Sequence, residues 1–314
     1  MRRLSILLAV AGVAVAAMLV LRFDAGQVLG AALSIGWLGF AVLLLWQAVL
    51  FLILGLAWSA VLPGVRPAVL VWGRMVRDAA TTCLPFSPVG GYVIGARAVT
   101  LRGAAWPTAA AGTVVDVTAE IMAQLLFALF GLAVLVLLQP GSGVAGPVAT
   151  GLGIAGLIAA AAYWHRGSIG RGAQALGSRL LGDWFRAQGG IERLRAEMIR
   201  LYGSPGRLLA GIVLHLGGWF GTGVGTWISL RLLGQSVDLV PVLALEALLD
   251  AVVAAAFVVP GAAGVQEAGY VGLGAVFGVP PDIALSVSLL RRARDVSWGV
   301  PILGAWQWQE VRRL

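Results

Sequence analysis

The run Leu38–Leu62, LGFAVLLLWQAVLFLILGLAWSAVL, decides the fold class of this chain. Its only polar side chains are Gln47 and Ser59, and it exceeds the roughly 20 apolar residues that a helix needs to cross a bilayer. Over all 314 residues, 60% are hydrophobic, 11% are charged and the mean hydropathy is +0.93. So few polar residues cannot cover a soluble core of this size. The sequence therefore predicts an all-α, polytopic membrane protein with a single transmembrane domain over residues 1–314.

Seven stretches have the length and hydropathy of membrane spans. The first follows Arg2-Arg3 and is longer than the apolar core of about 7–15 residues found in signal peptides, so we expect a retained helix. In all we predict about seven or eight transmembrane helices. The spans are predicted at about 4–21, 37–62, 107–138, 146–164, 208–230, 240–259 and 283–308.

Two further segments, 79–103 and 260–281, contain prolines and glycines that interrupt helices. Broken backbone persists at membrane depth only where protein or a water-filled cavity satisfies its polar groups. We therefore predict that both segments re-enter the bilayer and are not ordinary spans. The residues that break the helices are Pro85, Gly90, Gly91, Pro260, Gly261 and Gly264.

The two broken segments and the helices after them share a pattern. Pro85, Gly91-Tyr92 and Asp116 recur as Pro260, Gly269-Tyr270 and Asp295, at offsets of 175, 178 and 179 residues. Two explanations stay open: an internal duplication, or coincidence in a composition rich in Gly, Pro and Ala. A duplication would matter because corresponding breaks in two halves are the best sequence indication of a transporter's central site.

The formal net charge is +8, and every cationic side chain is an arginine. In a membrane protein this excess is typical of cytoplasmic loops and not of nucleic-acid binding. We therefore expect a bacterial inner-membrane protein, multi-pass, with its N-terminus in the cytoplasm. Arg66, Arg74 and Arg77 are assigned to the same side, and the uncharged connection 139–145 to the opposite side.

The segment 165–207 is the only long polar stretch, and we predict a basic cytoplasmic amphipathic helix there. Its arginines at 179, 186, 193, 200 and 207 follow a seven-residue step, and Leu194, Met198 and Leu201 repeat beside them at spacings of 3 and 4. Such a helix either lies in the membrane interface or forms a cytoplasmic hairpin that packs on the protein. The pattern alone does not choose between them.

Ionisable residues inside the predicted spans are the candidate functional residues. Asp116, Glu120 and Gln124 are four residues apart and share one helix face, as do Glu246 and Asp250. A charge at the bilayer centre costs about 2.5–3.5 kcal/mol on insertion scales, so these groups must meet each other or water. We predict a charged central cavity and substrate path, with packing of the bundle by ion pairs as the alternative. Its residues are Arg97, Asp116, Glu120, Gln124, Glu246, Asp250, Glu267, Arg291, Arg294 and Asp295.

Other chemistry is absent from the sequence. Cys83 is the only cysteine and His165 and His215 are the only histidines, so we expect no disulfide, metal site or cofactor. We interpret His215 as a hydrogen-bonded structural residue in preference to a proton relay. The sequence contains no nucleophile elbow, HExxH motif or phosphate-binding loop, and we expect no catalytic residues and no nucleic-acid partner. The glycines at 217, 221 and 225 indicate a helix-packing face.

The motifs LPFSPVGG at 84–91, Gly95-Ala96-Arg97 and Val115-Asp116 with Glu120 resemble the flippase-like membrane family. This family includes the transmembrane region of lysylphosphatidylglycerol synthases. The motifs PGAAGVQEAGY at 260–270 and RRARD at 291–295 are similar to its hopanoid-biosynthesis-associated branch. The resemblance covers nearly the whole chain and implies lipid translocation between leaflets, with a hopanoid or an aminoacylated phospholipid as cargo. The aminoacyl-transferase domain of the full synthases is missing here, so we do not expect this chain to make the modified lipid.

The leading hypothesis is therefore a lipid transporter of the flippase-like type, whose partners are membrane lipids. A second hypothesis is a non-transporting scaffold that holds lipid-biosynthesis enzymes through its basic segment. A third is an intramembrane enzyme that modifies lipids with its carboxylates.

Overall fold

The computed structural model describes residues 33–84, 88–139, 190–256 and 262–312, with isolated positions at 30, 143, 146, 150, 153 and 259. Within these ranges every regular element is a helix. In chain order they are α1 (Gly36–Val61), α2 (Pro67–Cys83), α3 (Pro88–Thr100), α4 (Trp106–Leu138), α5 (Gly190–Tyr202), α6 (Pro205–Leu232), α7 (Leu239–Ala255), α8 (Val265–Val276) and α9 (Pro281–Val311).

Three of these helices, α1, α4 and α6, are long and apolar enough to cross a membrane. They coincide within a few residues with the spans predicted at 37–62, 107–138 and 208–230. The stretches 240–259 and 283–308 are helical over most of their length, as α7 and α9. The predicted spans 4–21 and 146–164 lie outside the described residues. The all-helical class is thus confirmed, and the total of seven or eight crossings stays a prediction.

Proline and glycine set the limits of several helices. Helices α2, α3, α6 and α9 begin at a proline, and α4 has a proline as its second residue. Proline is favoured there because its missing N–H would have no partner in the first turn of a helix. Helix α8 begins after Gly264, whose φ of +77° is a left-handed conformation that only glycine adopts without strain.

Each broken segment contains a short helix after its break. The segment 79–103 consists of the end of α2, a break and then α3, whereas 260–281 contains α8. No span was predicted over α2; its arginines, Arg74 and Arg77, were predicted only to lie on the cytoplasmic side, and that side stays a prediction. Pro85, Pro260 and Gly261 lie outside the described residues, and whether either segment re-enters the membrane stays a prediction.

The described helices form two units with the same order of lengths. The first unit, α1–α4, has helices of 26, 17, 13 and 33 residues. The second unit, α6–α9, has helices of 28, 17, 12 and 31 residues. The units pack in a reciprocal way: α1 contacts α6, α2 contacts α9, and α7 contacts α4. Duplication of a four-helix unit would give such an arrangement, and the duplication itself stays a prediction.

Glycines allow the close helix contacts between the two units. A Cβ at Gly221 would lie 2.6 Å from Leu50 Cδ2, and one at Gly225 would lie 3.0 Å from Trp46 Cδ1, both on α1. Trp46 Nε1 also donates a hydrogen bond to the carbonyl of Gly221 at 2.8 Å. The packing role predicted for these two glycines is confirmed. Gly217 faces open space, and Gly218 takes its place in the contact, since its Cβ would lie 2.4 Å from Leu54 Cδ2.

Helix α5 packs its apolar side on the bundle. Leu201 is buried, and Leu194 and Met198 lie against the apolar cluster that includes Trp58 and Val115. On the other side of the helix, the arginines at 193, 195 and 200 are exposed. This part of the basic segment therefore contacts protein, as the second alternative for it predicted, and residues 165–189 lie outside the described ranges.

Candidate functional site

The first buried ion-pair network joins the second and fourth helices of the first unit. Arg74 and Arg77 lie on successive turns of α2, while Asp116 and Glu120 lie one turn apart on α4. Arg77 Nη1 donates to Asp116 Oδ2 at 2.8 Å, and its Nη2 donates to Glu120 Oε2. Arg74 Nη2 donates to the other oxygen of Glu120 at 2.9 Å. All four side chains are buried, which satisfies the requirement that intramembrane charges be paired.

Three neighbouring residues complete this network. His215 of α6 is fully buried, and its Nε2 lies 2.9 Å from Asp116 Oδ1. The ring of Tyr92 on α3 lies beneath the Arg77 guanidinium, 4.5 Å from ring centroid to Cζ. Asp78 accepts a hydrogen bond from Arg74 Nε at 2.8 Å. The network, defined as these three residues with the four above, thus includes side chains from α2, α3, α4 and α6, and His215 is hydrogen-bonded as predicted.

The second network occupies the corresponding place in the second unit. Glu246 and Asp250 lie one turn apart on α7, and both accept hydrogen bonds from Arg291 of α9. Tyr270 of α8 donates to Glu246 Oε2 at 3.0 Å, and Thr226 of α6 donates to the same oxygen at 2.7 Å. Glu246 is therefore surrounded by donors from three helices.

The two networks carry their charges in opposite order. In the first unit, Arg74 and Arg77 lie on the 17-residue helix α2, while Asp116 and Glu120, the acids that pair with them across the helices, lie on the long helix α4. In the second unit, the acids lie on the 17-residue helix α7 and the arginine on the long helix α9. In each unit, ion pairs thus link the 17-residue helix to the long helix, but the helix that carries the arginine in one unit corresponds to the helix that carries the acids in the other.

Glu267 has a local structural role at the second break. Its carboxylate accepts hydrogen bonds from the backbone N–H of Gly264 at 2.8 Å and from Arg292 Nη2 at 3.1 Å. A carboxylate in the first turn satisfies an unpaired N–H and interacts favourably with the positive end of the helix dipole. This ion pair ties the start of α8 to α9.

A cavity of about 160 Å³ lies between the networks. Groups from both networks line it: Arg74, Asp78 and Glu120 from the first, and Arg291 from the second, joined by the neighbouring ion pair of Arg294 and Asp295. Its other walls are largely apolar and include Phe51, Trp219 and Trp298. The lining carries three arginines and three carboxylates, so it presents both signs of charge to one space.

One donor of a residue that lines the cavity has no partner. Nη1 of Arg74 is buried and makes no hydrogen bond to any residue that the structure describes, although Nε and Nη2 of the same guanidinium are bonded. A buried donor without a partner costs about 1–3 kcal/mol, and more when it is charged. Arg74 is therefore not fully satisfied by the residues around it.

A family model of the lysylphosphatidylglycerol synthase transmembrane region matches residues 6–304. The chain belongs to this family. No curated protein and no solved structure matches the chain. The match covers all of the described helices except the last residues of α9, so both units and the cavity between them are part of this family's membrane region.

Within this family member, the sequence-predicted charges are brought together only in part. Asp116 with Glu120, and Glu246 with Asp250 and Arg291, form the two networks, and Arg294 and Asp295 line the cavity between them. Gln124 Nε2 contacts the backbone carbonyl of Asp250 at 3.3 Å. Arg97 lies apart from both networks, with half of its side chain exposed, and pairs with Glu310 at 2.7 Å.

Sequence reasoning did not identify the partners of Asp116 and Glu120. Arg74 and Arg77 were predicted only to lie on the cytoplasmic side and were not among the predicted cavity residues, whereas the structure buries both in α2 beside these acids. Their spacing of three, with Asp78 one turn beyond Arg74, places all three on adjoining faces of one helix. That spacing could have indicated a helix with a charged face at Arg74 and Arg77. Gly91, predicted as a helix breaker, lies inside α3, where a Cβ would come within 2.1 Å of Thr81 Oγ1 on α2.

Proposed function

We propose that this protein moves a phospholipid between the two leaflets, with the polar headgroup passing through the charged cavity while the acyl chains stay in the surrounding lipid. Membership of a family named for lysylphosphatidylglycerol synthesis supports a role in lipid metabolism. The observation that carries the proposal is the cavity between the two ion-pair networks, whose lining holds three arginines and three carboxylates.

The chemistry of the lining favours a headgroup with both charges. Arginine binds phosphate oxygens in a directional, often bidentate way, and Arg74, Arg291 and Arg294 reach the cavity. Carboxylates in the same lining, such as Asp78 and Asp295, suit an ammonium group. A zwitterionic or aminoacylated phospholipid satisfies both sets. A hopanoid, the other cargo that the resemblance implies, has an apolar ring system, which offers no charged group to these side chains.

The cavity can admit polar groups. Its volume is about 160 Å³, which is space for several water molecules. Exposed apolar side chains on α1 and α4, among them Leu45, Leu52 and Leu126, suit contact with acyl chains. Polar and apolar parts of one lipid thus have separate places, which is what movement of a headgroup across hydrocarbon requires.

Leaflet exchange in reconstituted vesicles tests the proposal. Vesicles contain a headgroup-labelled fluorescent phospholipid, and an impermeant quencher reports the fraction in the outer leaflet over time. Arg74→Gln removes one of the three arginine charges that line the cavity. We expect exchange to slow by about 10- to 100-fold, because a hydrogen bond to a charged group contributes about 1.5–3 kcal/mol.

Arg97→Gln is the matched control, because Arg97 is a half-exposed arginine paired with Glu310 away from the cavity. It should exchange lipid at the parent rate. Equal rates in Arg74→Gln, Arg97→Gln and the parent would contradict a headgroup path past Arg74. Folded parent protein that exchanges no phospholipid class would contradict transport, and co-purification of lipid-biosynthesis enzymes through α5 would then favour the scaffold hypothesis.

A further inference from the structure

Two carboxylates in the second network depend on one arginine. Glu246 and Asp250 lie four residues apart on the same face of α7, and they are 0% and 5% exposed. Arg291 is the cation that hydrogen-bonds to both. If both carboxylates are ionised, the three side chains carry one net negative charge inside a membrane domain, and like charges this close oppose ionisation of the pair.

Arg291 and the neighbouring hydrogen-bond donors stabilise the ionised form of Glu246 more than that of Asp250. Glu246 Oε1 binds Arg291 Nη1, and Oε2 accepts hydrogen bonds from Thr226 and Tyr270. Asp250 receives only a long contact of 3.4 Å from Arg291 Nη2 to Oδ1. Its Oδ2 is buried and has no hydrogen-bond partner among the described residues. The surroundings thus stabilise an ionised Glu246 and provide little for an ionised Asp250.

The other helices against α7 do not supply the missing charge. Helix α4 contributes the amide of Gln124, which contacts the backbone carbonyl of Asp250 and not its carboxyl group. From α6 and α8, Thr226 and Tyr270 donate to Glu246. From α9, Arg294 also interacts with Asp250, but its Nε and Nη2 are bonded to Asp295 Oδ1. A buried ionised oxygen without a donor is far more costly than a neutral hydroxyl in the same place.

We infer that Asp250 is a proton-binding site, which holds a proton on Oδ2 while Glu246 and Arg291 form the ion pair. The bound proton makes the group of three neutral overall, with one anion, one cation and one carboxylic acid. It is bound at low pH and released to water as the pH rises, and its release leaves two carboxylates to compete for Arg291.

Proton binding at Asp250 is linked to the cavity through Arg291, which lines it. When Asp250 releases its proton, the new carboxylate attracts the Arg291 guanidinium toward α7 and away from the cavity. Linkage is reciprocal, so an anionic headgroup that binds Arg291 in the cavity favours the protonated form of Asp250. This step rests on the proposed function: it makes movement of the lipid sensitive to a proton gradient.

Infrared difference spectroscopy of the purified protein in lipid nanodiscs tests the proton site without transport. At neutral pH we expect the carbonyl band of a protonated carboxyl group, which shifts when water is exchanged for heavy water. Asp250→Asn should abolish the band. Asp238→Asn is the matched control, because Asp238 is an exposed aspartate at the start of the same helix, and the band should stay.

Glu246→Gln provides a second test that leaves Asp250 in place. With the competing charge removed, Arg291 can pair with Asp250, which should then ionise, and the band should disappear at neutral pH. Absence of the band in the parent protein, or its persistence in Asp250→Asn or Glu246→Gln, would overturn the inference. Lipid exchange in vesicles under an imposed pH gradient tests the linkage separately. If the exchange rate does not change with the gradient, the proposed function stands and the linkage to Asp250 is contradicted.

Discussion

Replacement of Arg77 by methionine is the most direct perturbation of the first network. Methionine keeps an unbranched chain of similar length and removes the charge. Arg77 is 3% exposed and donates to two carboxylates, Asp116 at 2.8 Å and Glu120. Among the described residues, the side-chain hydrogen-bond partner that remains to Asp116 after the change is His215, and the one that remains to Glu120 is Arg74. Both acids then lack one of the charged donors that compensate their burial.

The expected loss of stability follows from these contacts. Removal of one partner from a buried ion pair costs about 3–5 kcal/mol, because the other charge is left uncompensated. The partners that remain to each carboxylate reduce this cost, so we expect a value near the lower limit. A loss of about 3 kcal/mol corresponds to a change of roughly 100-fold in the unfolding equilibrium at about 1.4 kcal/mol per tenfold.

Equilibrium unfolding from mixed micelles by a denaturing detergent measures this loss, with the fluorescence of the 12 tryptophans as the signal. Arg97→Met is the control, because an exposed ion pair contributes about 0–1 kcal/mol. The double variant Arg77→Met with Asp116→Asn should lose about 1–3 kcal/mol less than the sum of the single changes. Equal losses in Arg77→Met and Arg97→Met, or strict additivity in the double variant, would refute a buried, charged network.

The remaining predictions concern helix packing and the second network. Gly299→Ala should destabilise the protein by about 1–3 kcal/mol, because the Cβ of the alanine would lie 2.3 Å from Cys83 Sγ. Adding Cys83→Ala should restore most of this loss in the same unfolding assay. Gly304→Ala is the control, because a Cβ there would have nothing within 4 Å, and its stability should stay within about 1 kcal/mol of the parent. Tyr270→Phe should cost about 1–3 kcal/mol, because its hydroxyl binds a buried carboxylate at 3.0 Å. Tyr92→Phe keeps the ring that contacts a guanidinium and should change little; a larger loss for it than for Tyr270→Phe would contradict these assignments.

Part of the candidate site was predictable because its spacing is local. Acids four residues apart within apolar runs share one helix face. Sequence spacing alone therefore places Asp116 beside Glu120 on one helix and Glu246 beside Asp250 on another. Their partners were harder to identify. The excess of arginine was interpreted as a sign of the cytoplasmic side, so Arg74 and Arg77 were not considered as partners of these acids, although both are buried in α2. Arg97, which the same reasoning drew into the cavity, pairs on the surface with Glu310.

The amino-acid sequence alone determined the membrane class, the positions of the long helices and the two breaks, because hydropathy, helical period and the effects of proline act over one or two turns of chain. The tertiary structure decided which charges meet. Arg77 and Asp116 are 39 residues apart, and Glu246 and Arg291 are 45 residues apart. Their contact depends on the rotation and depth at which whole helices pack, and those result from the close glycine contacts between helices and not from the residues beside each charge.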